Sequence, residues 1–266
     1  MFNFAHWSAP VRIGATANSR GTTVTGDNSA HVKGSWAELV ASSSRNTDMV
    51  LLHASNSTNS AKYLLDLGVG SAGSEQVIAS NIFFRGDGHN NIDLMLPINI
   101  PASSRIAARI QTTPGGSTVA YVAAQLFSGS FGSKPQGVLS TYGADTSATA
   151  LTAVAPSSSA HTKGSWTQLA SSTARLIQGF WIQVAPQYTA GQDQCWLLDI
   201  GIGGSGSEVV LVPNIQLYWN STTNTNIEPG VTFFPVAIPA GTRVSARVQS
   251  SIGAGHSVYT GIVGYS

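Results

Sequence analysis

Two copies of one sequence pattern lie in this chain, and they restrict its fold more than any other feature. Residues 29–39 read SAHVKGSWAEL and residues 159–169 read SAHTKGSWTQL, with eight identities in eleven positions. Residues 64–78, LLDLGVGSAGSEQVI, return at 197–211 as LLDIGIGGSGSEVVL, with nine identities in fifteen. Residues 97–111, PINIPASSRIAARIQ, return at 235–249 as PVAIPAGTRVSARVQ, with eight in fifteen. The blocks keep their order while the offset grows from 130 to 133 to 138. Each copy is therefore a module of about 130 residues, an ordinary domain size. This divides the chain into an N-terminal arm (1–13), a first module (14–131), a linker (132–137) and a second module (138–266). The linker closes the Gly- and Ser-rich run SGSFGSKPQG.

The modules read as strands. Ile106, Ala108 and Ile110 alternate with Arg105, Ala107, Arg109 and Gln111. Val244, Ala246 and Val248 alternate in the same way with Arg243, Ser245, Arg247 and Gln249. Period two is the mark of a half-buried strand. Tyr63, Leu65, Leu67 and Val69 alternate with Asp66 and Gly68, and the second copy offers Trp196, Leu198, Ile200 and Ile202. Further strands are expected at 36–41, 49–53, 77–84, 118–127, 179–185, 208–218 and 257–264. No window holds a long apolar stripe at helical spacing with caps. Many short strands between Gly, Ser, Asn and Pro turns predict an all-β protein of two tandem antiparallel sandwiches. About eight strands per module suit a jelly roll best.

Composition narrows the function. Charged residues make up 9% of the 266, thirteen basic against twelve acidic, for a net charge of +1. No basic surplus marks a nucleic-acid groove. Cys195 is the sole cysteine, which excludes an intrachain disulfide, and its apolar neighbourhood predicts a buried structural thiol. No run approaches the roughly 20 apolar residues of a membrane helix, and MFNFAHWSAP lacks the regions of a signal peptide. Synthesis in a cytoplasm without export by a leader is the expectation.

The order KGSW, LLD[LI]G[VI]G, GSE, IPA and R[IV]xAR[IV]Q resembles a module found in virion structural proteins of tailed bacteriophages. These include capsid decoration (cement) proteins and tail-associated proteins. Lys33–Trp36, Leu64–Glu75 and Pro97–Gln111 carry the resemblance, and Lys163–Trp166, Leu197–Glu208 and Pro235–Gln249 carry it again. It implies binding rather than catalysis, and no catalytic residue, metal or cofactor comes with it.

Several motifs have plainer explanations than the chemistry they suggest. Gly68-x-Gly70-x-x-Gly73 and Gly201-x-Gly203-x-x-Gly206 match the dinucleotide fingerprint in form. That motif needs a helix N-terminus behind it, and strand-like sequence follows both copies, so a glycine turn is expected. The six histidines show neither HxxxH nor HxH spacing. The stretch Arg85–Asp93 contains Arg-Gly-Asp and oxygen ligands spaced for Ca²⁺, but an exposed turn explains it as well. A hydrolase would need convergent carboxylates in a cleft, and most of the twelve are scattered or fixed by the repeat.

The polar residues kept by both copies are more informative. Lys33, Asp66, Glu75, Arg105 and Arg109 match Lys163, Asp199, Glu208, Arg243 and Arg247, and Arg45 matches Arg175. These twelve are nearly half of all charges in the chain. A structural charge network is expected, with Asp66 and Asp199 pairing strand arginines. The other reading makes Arg105 and Arg109 a solvent-facing stripe that docks on a neighbour. Trp36 and Trp166, at matched positions, are expected in the core.

Unmatched residues point to partners. Phe2, Phe4 and Trp7 precede the first repeat and form a candidate assembly arm. Tyr188, Tyr218 and Trp219, beside Gln and Asn, are candidates for glycan or protein contact. The reading is a non-enzymatic virion protein, a capsid decoration protein that binds the major capsid protein on the shell exterior. The alternative is a tail-tip or tail-fibre protein that binds host-surface glycan. A homo-oligomer is expected, and a trimer would let two modules per chain imitate six-fold surroundings.

Overall fold

A computed structural model describes residues 9–15, 19–56, 61–85, 92–116, 118–129, 137–186, 193–220, 225–227, 233–253 and 255–266. The chain divides into two compact units. One is Met1–Ser140 with Thr146–Ala150 and Tyr265–Ser266; the other is Thr141–Asp145 with Leu151–Gly264. The described residues contain strands and no helix.

The first unit holds β1 (Val11–Ile13), β2 (Thr22–Thr25), β3 (Ala37–Val40), β4 (Met49–Asn56), β5 (Lys62–Val69), β6 (Gln76–Arg85), β7 (Ile92–Leu96), β8 (Ile106–Thr112) and β9 (Val119–Phe127). In its first sheet β9 pairs with β4 along one side and β4 pairs with β7. β1 and β2 share the other side of β9, opposite residues 124–126 and 119–122 respectively. The second sheet runs β3–β8–β5–β6. Counting β1 and β2 as one interrupted strand, the chain crosses between two four-stranded antiparallel sheets at every connection except the β5–β6 hairpin. That is the jelly-roll arrangement.

The second unit repeats it with β10 (Leu139–Tyr142, from Thr141 on), β11 (Ala144–Asp145), β12 (Ala150–Val154, from Leu151 on), β13 (Thr167–Ala170), β14 (Gly179–Pro186), β15 (Gln194–Ile202), β16 (Val209–Asn220), β17 (Thr225–Ile227), β18 (Phe233–Phe234), β19 (Val244–Ser250) and β20 (Val258–Tyr265, up to Gly264). β20 takes the place of β9, with β12 on one side and β14, followed by β18, on the other. The opposing sheet is β13–β19–β15–β16, extended by β17. The protein is all-β, two tandem jelly-roll sandwiches.

Side chains that alternate inward fill each core. Tyr63, Leu65 and Leu67 of β5 are fully buried with Leu52, Ile82, Leu94, Ile110 and Val122. Tyr63 stacks on Phe84, its cross-strand partner, with ring centroids 4.6 Å apart. The second core gathers Trp196, Leu198 and Ile200 with Phe180, Val244, Val248 and Ile262. Trp196 is anchored by donating its indole N–H to the His256 carbonyl at 2.9 Å. Burial of such side chains contributes about 1.5–3 kcal/mol each.

Three expectations from sequence change. β5 and β8 are buried on both faces, not one: Asp66 is 3% exposed and Ala107 is fully covered. The strands β1, β2, β7, β10 and β12 carry no strong alternation over their short lengths and were not expected. Ile92 and Asp93 begin β7 rather than ending a loop, and Asp93 accepts a hydrogen bond from His53 Nδ1 of β4. Residues 86–91 of the candidate calcium stretch lie outside the described residues.

Candidate functional site: a charged lock repeated in both units

The segment between β2 and β3 continues β3 along the edge of β8 and sends Lys33 and Trp36 over the outer face of the β3–β8–β5–β6 sheet. Its backbone bonds to β8: the His31 amide donates to the Thr112 carbonyl at 2.9 Å and the Gly34 amide to that of Ile110 at 2.8 Å. His31 has a left-handed φ of 63°, which turns the chain onto the sheet. Gly34 is required by contact. A Cβ there would come 2.2 Å from the Thr25 carbonyl oxygen. The second unit repeats these features, with His161 and Gly164 donating to Ser250 and Val248 at 2.8 Å. His161 has φ 58°, and a Cβ at Gly164 would come 2.2 Å from the Ala155 oxygen.

This covering segment brings Lys33 over β5. Lys33 Nζ donates to Asp66 Oδ1 at 2.8 Å and to the Leu64 carbonyl at 3.1 Å. Arg109 of β8, directly across from Asp66, donates from Nε to Oδ2 at 2.9 Å. A third donor comes from the backbone. The β5–β6 register slips near Asp66, and Asn81 occupies the irregularity with φ 54°. Its amide donates to Asp66 Oδ1 at 2.8 Å. A bulge normally leaves an amide outside the ladder, and here the aspartate satisfies it.

Asp199 holds the same position in the second unit. It accepts from Lys163 at 2.6 Å, Asn214 at 2.8 Å and Arg247 at 2.9 Å. Asn214 has φ 52°, and Lys163 also reaches the Leu197 carbonyl at 2.9 Å. Burial alone would push the Asp199 carboxyl up. The bonds from Lys163, Asn214 and Arg247 together outweigh it and hold the group below the usual carboxylate range. Burial pulls the Lys33 ammonium below the usual lysine value, against the opposing pull of Asp66.

A second pair of clusters ties the glycine turn to β8 and β19. Arg105 donates from Nε to Glu38 at 2.8 Å and from Nη1 to Glu75 at 2.6 Å and to the Gly70 carbonyl at 3.3 Å. Arg243 contacts Gln168 at 3.1 Å, Glu208 at 2.7 Å and the Gly203 carbonyl at 3.3 Å. Bonds to Glu38 and then Glu75 raise the Arg105 value further. Glu75 and Glu208 sit below the usual range because their arginine and backbone hydrogen bonds outweigh desolvation.

The ten charged residues singled out in the sequence thus form four clusters, two per unit. The strand arginines divide between partners: Arg109 and Arg247 reach the aspartates, whereas Arg105 and Arg243 reach the glutamates. Sequence reading missed Asn81 and Asn214. The signal was present, since both precede Ile at the shared offset of 133 in SNI and PNI. It also missed Glu38, whose counterpart is Gln168.

Trp36 and Trp166 are half-buried rather than core residues. The Arg109 guanidinium carbon is 4.6 Å from the Trp36 ring centroid, and that of Arg247 is 4.5 Å from Trp166. The fingerprint glycines also divide. Gly68 lies within β5, where a Cβ would strike the Trp36 ring, while Gly70 and Gly73 have φ of 123° and 81° and make the turn. Cys195 is half-buried, not fully buried, with its thiol pushed up by desolvation and then by Asp193. Tyr218 is half-buried and donates to Asp193 at 3.1 Å. Phe2, Phe4, Trp7 and Tyr188 lie outside the described residues, as does the side chain of Trp219.

One cleft of about 350 Å³ opens beside Trp36, lined by Thr23 and Thr25 of β2, Asp27, Asn28 and the Gly34–Ala37 segment. Among the described residues no three of His, Cys, Asp and Glu converge as a metal centre would require.

No family model matches the chain, and no curated protein does. Solved structures with remote likeness include the following two. STIV MCP has 12% identity and a TM-score of 0.38, covering 92% of this chain and 97% of that one. The N-terminal CBM22-1–CBM22-2 tandem domain from Paenibacillus barcinonensis Xyn10C has 9% identity and a TM-score of 0.28, covering 99% and 94%. Likeness this slight assigns no role to any residue.

Proposed function

We propose that this chain is a non-enzymatic virion structural protein of a tailed bacteriophage. Its role is that of a capsid decoration protein that binds the major capsid protein from outside and stabilises the shell. The observation that carries this reading is the fate of the repeated polar residues. Asp66 and Asp199 each accept from a lysine, an arginine and a bulge amide, and Glu75 and Glu208 are held by arginines. Groups occupied in this way suit a scaffold better than proton transfer, which needs a carboxyl poised near the working pH. The resemblance of KGSW, LLDxGxG and RxxAR to modules of phage virion proteins points the same way.

Two scaffolds on one chain favour lattice binding. Once one module is seated, the second meets its own site at high effective concentration. Association into a homo-oligomer, a trimer above all, would match that geometry to six-fold surroundings. The test is to incubate the purified full chain with undecorated capsids and with isolated tails, then image both. Regular density over the shell supports the reading. Density confined to tails would replace it with a tail-associated role, and binding to neither would reject both.

A further inference from the structure

We propose that the cleft beside Trp36 in the first unit binds a saccharide, taking a neutral, hydroxyl-rich ring. This inference stands apart from the virion role and does not rest on it. The cleft, at about 350 Å³, falls within the roughly 300–1,000 Å³ usual for small-molecule sites. One wall is the half-buried indole of Trp36. The others carry hydrogen-bonding side chains: Thr23, Thr25, Asp27, Asn28 and Ser35.

Comparison within the chain separates folding from binding. Trp36 is matched by Trp166, and both pack against an arginine and a glycine of their own sheet, so the tryptophan alone signals nothing. The polar lining is different. At the offset of 130, Thr23, Thr25, Asp27 and Asn28 become Ala153, Ala155, Ser157 and Ser158. The exchange leaves the β2 and β12 strands in place. Both Thr22 and Thr152 still donate at 3.0 Å, to Gly14 and Gly143. Ser157 accepts the Ser159 amide at 3.2 Å as Asp27 accepts that of Ser29, so the turn survives the exchange and folding tolerates loss of the Asp27 carboxylate and of the exposed Thr23, Thr25 and Asn28 side chains.

Chemistry selects the ligand. Among the described residues lining the cleft there is one carboxylate and no Lys, Arg or His, and the Arg109 guanidinium packed on the indole is already paired with Asp66, which disfavours an anion. A purely apolar ligand would strip water from the exposed Thr23, Thr25 and Ser35 hydroxyls. A neutral sugar ring meets both conditions, with a C–H face for the indole and hydroxyls at its edge for the polar walls. Asp27 is already oriented, since its Oδ1 accepts the Ser29 amide at 2.8 Å. Such preorganisation reduces the ordering cost of binding.

The experiment uses ligand-observed saturation-transfer NMR on the full chain. The probes are the methyl glycosides of glucose, galactose, mannose and N-acetylglucosamine, with free sialic acid as the anionic comparison. The expected result is transfer to at least one neutral glycoside and none to sialic acid. Exchange of the lining to the residues of the second copy (Thr23→Ala, Thr25→Ala, Asp27→Ser, Asn28→Ser) should weaken that binding about tenfold or more, with the melting temperature kept. If the exchanged protein fails to fold, the single Asp27→Ser variant is expected to show the same direction of change. No transfer to any neutral glycoside, equal transfer to sialic acid, or binding undiminished by the exchange would overturn the proposal.

Discussion

Trp36 stands against Gly68 so closely that a Cβ on the glycine would lie 2.7 Å from the indole Cη2. The matching distance from Gly201 to Trp166 is 2.6 Å. Gly68→Ala is therefore expected to displace the indole and destabilise the first unit by about 1–3 kcal/mol, the usual cost of overpacking. Gly73→Ala meets nothing within 4 Å but sits at φ 81°, so backbone strain alone applies, at about 1–2 kcal/mol. The two should differ in kind. Tryptophan fluorescence should shift for Gly68→Ala and stay put for Gly73→Ala, with denaturant melts giving the energies.

Removing the acceptor of the lock should cost more. Asp66→Ala leaves Lys33, 18% exposed, and Arg109, 30% exposed, without their carboxylate. Breaking a buried pair costs about 3–5 kcal/mol, and the partial exposure of both cations puts this case near the lower end. In a urea melt the transition of the first unit should move and that of the second should not. Asp199→Ala should give the reverse.

How much of this was legible beforehand follows from the physics of each residue. Long alternating strands such as β5 and β8 declared themselves by period, and the repeat fixed which residues correspond. The double-sided burial of those strands was not legible, because the Lys33 and Trp36 side chains cover their outer face, a long-range event that no local pattern records. The same cause misplaced Trp36. A matched tryptophan reads as core, but this one packs on the arginine of the lysine–aspartate–arginine cluster. Asn81 escaped because its function lies in a left-handed backbone and a donated amide rather than in its side chain. β1 and β2 escaped because they are two short pieces sharing one side of β9.

Acid should loosen both units. The Asp199, Glu75 and Glu208 carboxyls are held below their ordinary values in the folded protein. Groups depressed in this way contribute stability that is fully present above the unfolded value and is lost as pH falls through the folded one. The melting temperature should be level at neutral pH and decline below about pH 4, the ordinary carboxylate range. Asp199→Asn should flatten that decline for the second unit.

Cys195 should react slowly. Desolvation and the nearby Asp193 raise its thiol value, leaving little thiolate at neutral pH. Asp193→Asn removes the electrostatic part and should speed alkylation by iodoacetamide measurably. Denaturation should speed it further.

The repeated charges hold the β2–β3 segment, and its counterpart between β12 and β13, against the sheet. Amide hydrogen exchange tests it at the His31 and Gly34 amides, which bond to β8, with His161 and Gly164 as the internal reference. In the native chain all four should be protected. In Asp66→Asn, protection should fall at His31 and Gly34 alone, while the β5–β8 ladder and the second-unit pair keep theirs. Unchanged protection at His31 and Gly34 would contradict the claim.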